Sequence, residues 1–161
     1  MIKQWFILLL IIIIAVFFRF YNITETPPGL YPDEAMNGND AVQVLESGDY
    51  KIFYPNNFGR EGLFINLQAI AISIFGQEIW VLRAVSAVFG ILTVIGLYFL
   101  TRFIFNWQIA ALSSFFLAVA FWHVLFSRIG FRAIMAPFFL GWAMYFLWRG
   151  LVDYIFLRAV Y

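Results

Sequence analysis

Residues 22–62 hold seven of the nine acids in the chain, Glu25, Asp33, Glu34, Asp40, Glu46, Asp49 and Glu61. Only Lys51 and Arg60 of the ten basic residues accompany them. Asp33 and Glu34 follow Pro32 directly, at the head of a short helix expected over about 34–47 and closed by Gly48. A carboxylate at that place has two readings. Asp33 caps the helix, or it stands at the membrane surface on a rigid element and takes a proton where its surroundings are apolar enough. The two roles are compatible. Arg60 and Glu61 come next, in a loop bracketed by Gly59 and Gly62. They form a surface ion pair of little weight, or Arg60 gives a forked contact to an anionic headgroup. Arg83, Arg128 and Arg132 flank later apolar runs. Arg83 either snorkels or joins an anion site. His123 lies one turn before Ser127. A lone helical His reads first as a hydrogen-bonded interior residue and second as a base or ligand. With no second His and no Cys, multi-His metal sites, thiolate chemistry and disulfides are excluded. Asp33, Glu34 and Asp40 could hold a divalent cation, although carboxylates gathered on a polar loop more often keep it hydrated.

The elements that must carry these residues are membrane helices. Of 161 residues, 64% are apolar, 22% aromatic and only 12% charged. An ordinary soluble domain is about 25% charged. With a net charge of +1, ten thinly spread cations build no basic face for nucleic acid. The acidic, proline-rich segment cannot face lipid, because its backbone and charges need water or protein partners. It is expected at one membrane face.

Crossing ~30 Å of hydrocarbon takes roughly 17–25 helical residues. Trp5–Tyr21 just suffices if Arg19 snorkels. Lys3 ahead of it resembles the start of a secretory signal, but no small-residue cleavage site follows, so an uncleaved anchor is the better reading. Ala84–Thr101 and Ile109–Phe126 are each eighteen residues without Asp, Glu, Lys or Arg, and Ala133–Trp148 is sixteen. Leu63–Gly76 is shorter and carries Asn66, Gln68 and Ser73. It fits a helix lying in the interface better than a span. The expected fold is therefore all-α and polytopic, with about four spans. The first span covers 1–21, an external loop with interfacial helices at about 34–47 and 62–76 covers 22–78, and three further spans fill 79–161.

Basic residues orient this arrangement. With the N-terminus in the cytoplasm, Lys3, Arg102, Arg149 and Arg158 lie inside and the acidic loop outside. Arg128 and Arg132 then lie outside, against the rule, and external arginines beside a membrane commonly serve an anion. An integral protein of the plasma (inner) membrane is expected.

The order of pieces carries a resemblance. Tyr31-Pro32-Asp33-Glu34-Ala35, Leu45-Glu46-Ser47-Gly48-Asp49-Tyr50, Phe58-Gly59-Arg60-Glu61-Gly62-Leu63-Phe64, Val81-Leu82-Arg83-Ala84 and Trp122-His123-Val124-Leu125-Phe126-Ser127-Arg128 follow one another over roughly 20–155. The chain resembles the N-terminal part of GT-C membrane glycosyltransferases, above all bacterial members of the dolichyl-phosphate-mannose–protein mannosyltransferase family. The resemblance implies sugar transfer from a polyprenyl-phosphate donor to an acceptor hydroxyl outside the cytoplasm, with inversion. It implies Asp33, with Glu34 beside it, as the catalytic carboxylate. It also implies Arg60, Arg83, Arg128 and Arg132 as candidates for the donor phosphate. Glu61, Asp40 and His123 are candidate substrate contacts beside them. Relatives carry Lys-Pro-Pro or His-Pro-Pro where this chain has Arg60-Glu61-Gly62.

Family members run several times the length of a four-span unit, so the sequence is expected to be an incomplete GT-C unit. The alternative from a different class is a non-catalytic membrane module that binds lipid phosphate or a partner subunit. A transporter component would need more polar residues in the spans than Ser86, Thr93, Ser113 and Ser114.

Overall fold

The computed structural model describes residues 2–56 and 58–160, with side chains through Asp153. Asn57 of the Arg60 loop, the Arg158 side chain and Tyr161 lie outside the described residues. The fold is essentially all-α. Helix α1 (Ile2–Phe20) is followed by α2 (Pro32–Ser47), a two-residue hairpin of β1 (Phe53–Tyr54) and β2 (Arg60–Glu61), and α3 (Gly62–Phe75). Then come α4 (Ile79–Ile104), α5 (Trp107–Val119), α6 (Phe121–Arg128), a 3-10 turn at Arg132–Ile134 and α7 (Met135–Val160).

Three helices are long and apolar enough to cross a membrane: α1, α4 and the run Arg132–Asp153. A fourth candidate span, among the described residues, is bent. The run Ile109–Phe126, expected as one helix, is two helices that meet at 56°. No proline or glycine causes this. The carbonyl of Ala118, left without an intrahelical donor by the break at Ala120, accepts from Arg19 Nη1 at 3.1 Å. A guanidinium at the carbonyl end of a helix is favourable on both hydrogen-bond and dipole grounds.

Arg19 does not snorkel. Its side chain is fully buried, with Nε donating to Ser127 Oγ at 3.2 Å and Nη1 also to Ala15 O at 3.0 Å. Room for it comes from Gly90 of α4, where an added Cβ would stand 2.2 Å from Ser127 Oγ and 2.9 Å from Arg19 Nε.

Helix α4 is the central post. Ile11 and Ala15 of α1 and Ala118 of α5 pack around its Val94. On another side Trp142 of α7 donates from Nε1 to Leu92 O at 3.2 Å, and Phe89 meets Phe138 edge to face. The opposite face of α7 leaves Leu140, Met144 and Leu147 exposed, as suits lipid contact.

The segment between α1 and α4 forms a ledge with its own core. Ala41 and Val44 of α2, Tyr54 of β1, Ile65, Ala69 and Ile72 of α3, and Val81 and Leu82 of α4 pack together. Helix α3 has fourteen residues, ~21 Å of length at 1.5 Å per residue. The β-hairpin was not legible beforehand. It pairs Phe53 with Glu61 and Tyr54 with Arg60, so Arg60 and Glu61 point to opposite faces. Gly48, left-handed at φ 70°, closes α2 by donating to Val44 O at 2.8 Å.

Candidate active site

Helix α2 starts two residues earlier than its sequence suggests, because Pro32 is tolerated in the first turn. Tyr31 is the N-cap residue, so Asp33 is not the cap. The carboxylate that reaches back is Glu34, whose Oε2 accepts from the Tyr31 N–H at 3.3 Å. Asp33 instead sits inside the first turn, partly open, at 38% side-chain exposure.

Glu34 is a buried anchor. Its Oε1 accepts from Arg83 Nε at 2.9 Å and from the Gly130 N–H at 3.1 Å. Arg83 does not snorkel either. It is fully buried, and its remaining donors go to the carbonyls of Ile23, Thr24, Pro27 and Gly29, with Nη2 also 3.4 Å from Glu34 Oε2. Arg128 is used in the same way. Its Nε donates to Thr26 O, Nη1 to Phe18 O at 2.7 Å, and Nη2 to the carbonyls of Tyr21, Asn22 and Thr26. A guanidinium has five N–H donors. Arg128 spends its donors on the end of α1 and the turn between α1 and α2, and Arg83 divides its own between that turn and Glu34, the prolines of the turn keeping its carbonyls out of a helix. A phosphate could meet either cation only by displacing those carbonyls.

The other two arginines meet at a cleft. Arg60 Nη2 lies 3.5 Å from Asp33 Oδ1, and its Nη1 donates to Asp33 O at 3.4 Å and to Asn37 Oδ1. Asn37 is held in turn by donating from Nδ2 to Gly130 O at 3.1 Å. Arg132 lies across the opening, 36% exposed, 2.8 Å from Glu61 Oε2. Asp33, Asn37, Phe58, Gly59, Arg60, Phe131 and Arg132 line a cavity of about 410 Å³. Phe131 and Arg132 also line a neighbouring, mainly apolar groove of about 430 Å³, with Glu61, Leu63, Phe64, Met135 and Phe139 among its walls. Asp33, two guanidinium groups, Glu61 beside one of them, and an adjoining apolar groove thus share one place.

The remaining candidates lie elsewhere. Asp40 is buried under the hairpin loop, accepting from Asn56 Nδ2 at 2.8 Å. His123 belongs to the Arg19 cluster, its Nδ1 2.7 Å from Arg19 Nη2. Because a guanidinium only donates, that nitrogen is the acceptor. Asp33, Glu34 and Asp40 do not converge, and no group of three or more His, Asp or Glu among the described residues could hold a metal ion. Sequence reading missed Asn37, Phe58 and Phe131. Asn37 stands four residues after Asp33, so helical spacing already placed it on the same face. The aromatic pair left no comparable signal.

A polytopic membrane protein with a carboxylate and paired cations over an apolar groove has the parts for chemistry on an amphiphilic anion. Compared with family models, residues 63–156 match dolichyl-phosphate-mannose-protein mannosyltransferase. That is more than half of the chain, and the chain belongs to this family of GT-C membrane glycosyltransferases. The matched stretch begins at the head of α3. It contains Arg83, His123, Arg128 and Arg132, while Asp33, Glu34, Arg60 and Glu61 precede it. Comparisons with curated proteins and with solved structures gave no match.

Proposed function

We propose that the chain is the N-terminal part of a glycosyltransferase that moves a sugar from a polyprenyl-phosphate donor to an acceptor hydroxyl. The observation that carries this reading is the cleft itself, where Asp33, Arg60 and Arg132 line one cavity that adjoins an apolar groove. The donor phosphate sits against Arg132 and Arg60, and its prenyl chain runs along Leu63, Phe64 and Phe139. The acceptor hydroxyl approaches the anomeric carbon from the opposite side. Its proton passes to the Asp33 carboxylate as the new carbon–oxygen bond forms. The bond from the anomeric carbon to the phosphate oxygen breaks with its electron pair, leaving polyprenyl phosphate, whose charge the arginines meet. In-line displacement inverts the anomeric centre. Arg83 and Arg128 hold the scaffold in this scheme and do not touch the phosphate.

The expected setting is the plasma membrane, N-terminus inside and ledge outside. The protein has no native Cys. Asn39→Cys on the exposed side of α2 is therefore expected to label with an impermeant reagent from outside only. Labelling from the cytoplasm alone would refute this orientation.

In a reconstituted transfer assay, Asp33→Asn is expected to lower the rate by roughly 10²–10⁴-fold, with lipid-phosphate binding retained. An unchanged rate would remove Asp33 as the base. A second reading has one observation in its favour, namely that the family match begins after Asp33 and Arg60. On that reading the cleft binds lipid phosphate without transfer, and Asp33→Asn leaves no activity to lose.

A further inference from the structure

The end of the bundle away from the Asp33 ledge has a charge pattern that the transfer chemistry does not use. The start of α1, the end of α4, the start of α5 and a middle turn of α7 meet there. Lys3 Nζ lies 5.9 Å from the Trp107 ring centre, and the Arg102 guanidinium lies 5.2 Å from that of Trp5. The rings form a continuous chain, Trp5 to Phe99 at 6.4 Å, Phe99 to Tyr145 at 6.1 Å, and Tyr145 to Phe103 at 6.2 Å. Arg149 Nη1 donates to Tyr145 Oη at 3.3 Å. Among the described residues none of Lys3, Arg102 and Arg149 is in an ion pair. The one acid nearby in sequence is Asp153, exposed a turn beyond Arg149.

Phe99, Arg102, Phe103 and Tyr145 line an open groove of about 280 Å³ between α4 and α7. Its chemistry is a cation and a phenol hydroxyl at the mouth and two Phe rings in the wall. The cation–π contact on Trp5 fixes Arg102 without neutralising it. Phe103 is an exposed ring of the same helix, so an occupant must offer apolar surface as well as charge. A free inorganic anion satisfies only the first requirement.

We infer that this groove is a binding site for the headgroup of an anionic phospholipid, its phosphate meeting Arg102 and the Tyr145 hydroxyl and its chains lying over Phe99 and Phe103. Lys3 and Arg149 raise the local positive potential, which attracts an anionic lipid surface. The site lies at the opposite face from the Asp33 cleft and does not depend on the transfer reaction. It fixes α1, α4 and α7 to one leaflet.

The test is thermal unfolding and native mass spectrometry of the full chain in nanodiscs of phosphatidylcholine alone or with phosphatidylglycerol. Phosphatidylglycerol is expected to raise Tm by several degrees and to stay bound on release from the disc. Arg102→Gln is expected to abolish both effects. Arg102→Lys, which keeps the charge and serves as the folding control, retains at least half of the shift. Inorganic phosphate at millimolar concentration is expected to give no shift. Equal Tm in the two lipids would overturn the proposal. So would a phosphatidylglycerol shift that survives Arg102→Gln, or one reproduced by inorganic phosphate.

Discussion

Arg83 and Glu34 form an ion pair 2.9 Å long that is sealed from solvent on both sides, 49 residues apart in the chain. It ties the head of α2 to the top of α4, and through the Gly130 N–H it also holds the turn after α6. Removing one partner leaves the other as an uncompensated buried charge, which costs about 3–5 kcal/mol. Glu34→Gln is therefore expected to lower Tm sharply, measured by thermal unfolding in detergent. Arg83→Lys is expected to do nearly as much harm, since one ammonium cannot replace a fork that reaches Glu34 and four carbonyls.

Arg132 and Arg128 are four residues apart and are expected to respond in opposite ways. Arg132 faces the cleft, and Glu61, its ion-pair partner, is exposed. Arg132→Gln is expected to weaken binding of polyprenyl phosphate roughly 10–100-fold while Tm holds. Arg128 is buried against carbonyls of the segment Phe18–Thr26. Arg128→Gln is expected to lower Tm, with the folded fraction still binding. Titration of each purified variant with a lipid phosphate, beside its melting curve, checks both. Equal loss of binding in the two variants at unchanged Tm would put Arg128 back among the phosphate contacts.

Hydropathy and punctuation made much of this legible. Apolar runs marked α1, α4 and α7, and Gly48 marked the end of α2. The polar stretch around Asp33 marked the one region that cannot face lipid. What stayed hidden was set by partners far away in sequence. Arg19, Arg83 and Arg128 each looked like an interfacial cation, because a sequence does not show which carbonyls a distant turn leaves unpaired. The break at Ala120 was equally invisible, since the group that caps the Ala118 carbonyl there is Arg19, 99 residues earlier in the chain. Asp33 looked like a cap because it follows Pro32, whereas the residue able to reach back to the cap N–H is the one at the third helical position, Glu34.

Glu61 offers a test with an unusual sign. Its carboxylate holds Arg132 at 2.8 Å and is itself 80% exposed. A lipid phosphate arriving at Arg132 must compete with it. Exposed pairs of this kind are worth about 0.2–1 kcal/mol, so Glu61→Gln is expected to tighten lipid-phosphate binding about two- to fivefold. The gain should shrink at high salt, where the competing pair is already screened. Weaker binding in Glu61→Gln would instead make Glu61 a contact of the bound ligand.

The bend between α5 and α6 rests on space at Gly90. Any side chain there drives its Cβ to 2.2 Å from Ser127 Oγ and 2.9 Å from Arg19 Nε, and neither neighbour can yield freely. Ser127 Oγ also donates to His123 O at 2.6 Å, and Arg19 is bonded to both helices at the bend. Overpacking of this kind costs about 1–3 kcal/mol. Gly90→Ala is therefore expected to lower Tm in thermal unfolding. Adding Ser127→Ala removes the Oγ and is expected to restore part of the loss, because the nearest clashing atom is gone while the Ser127 Cβ, 2.8 Å away, remains. Ser127→Ala alone is expected to be destabilising, since it takes a hydrogen-bond partner from a buried guanidinium. Opposite signs for the same substitution in the two backgrounds are what a steric contact across Gly90 requires, and additive losses would show that the bend is held some other way.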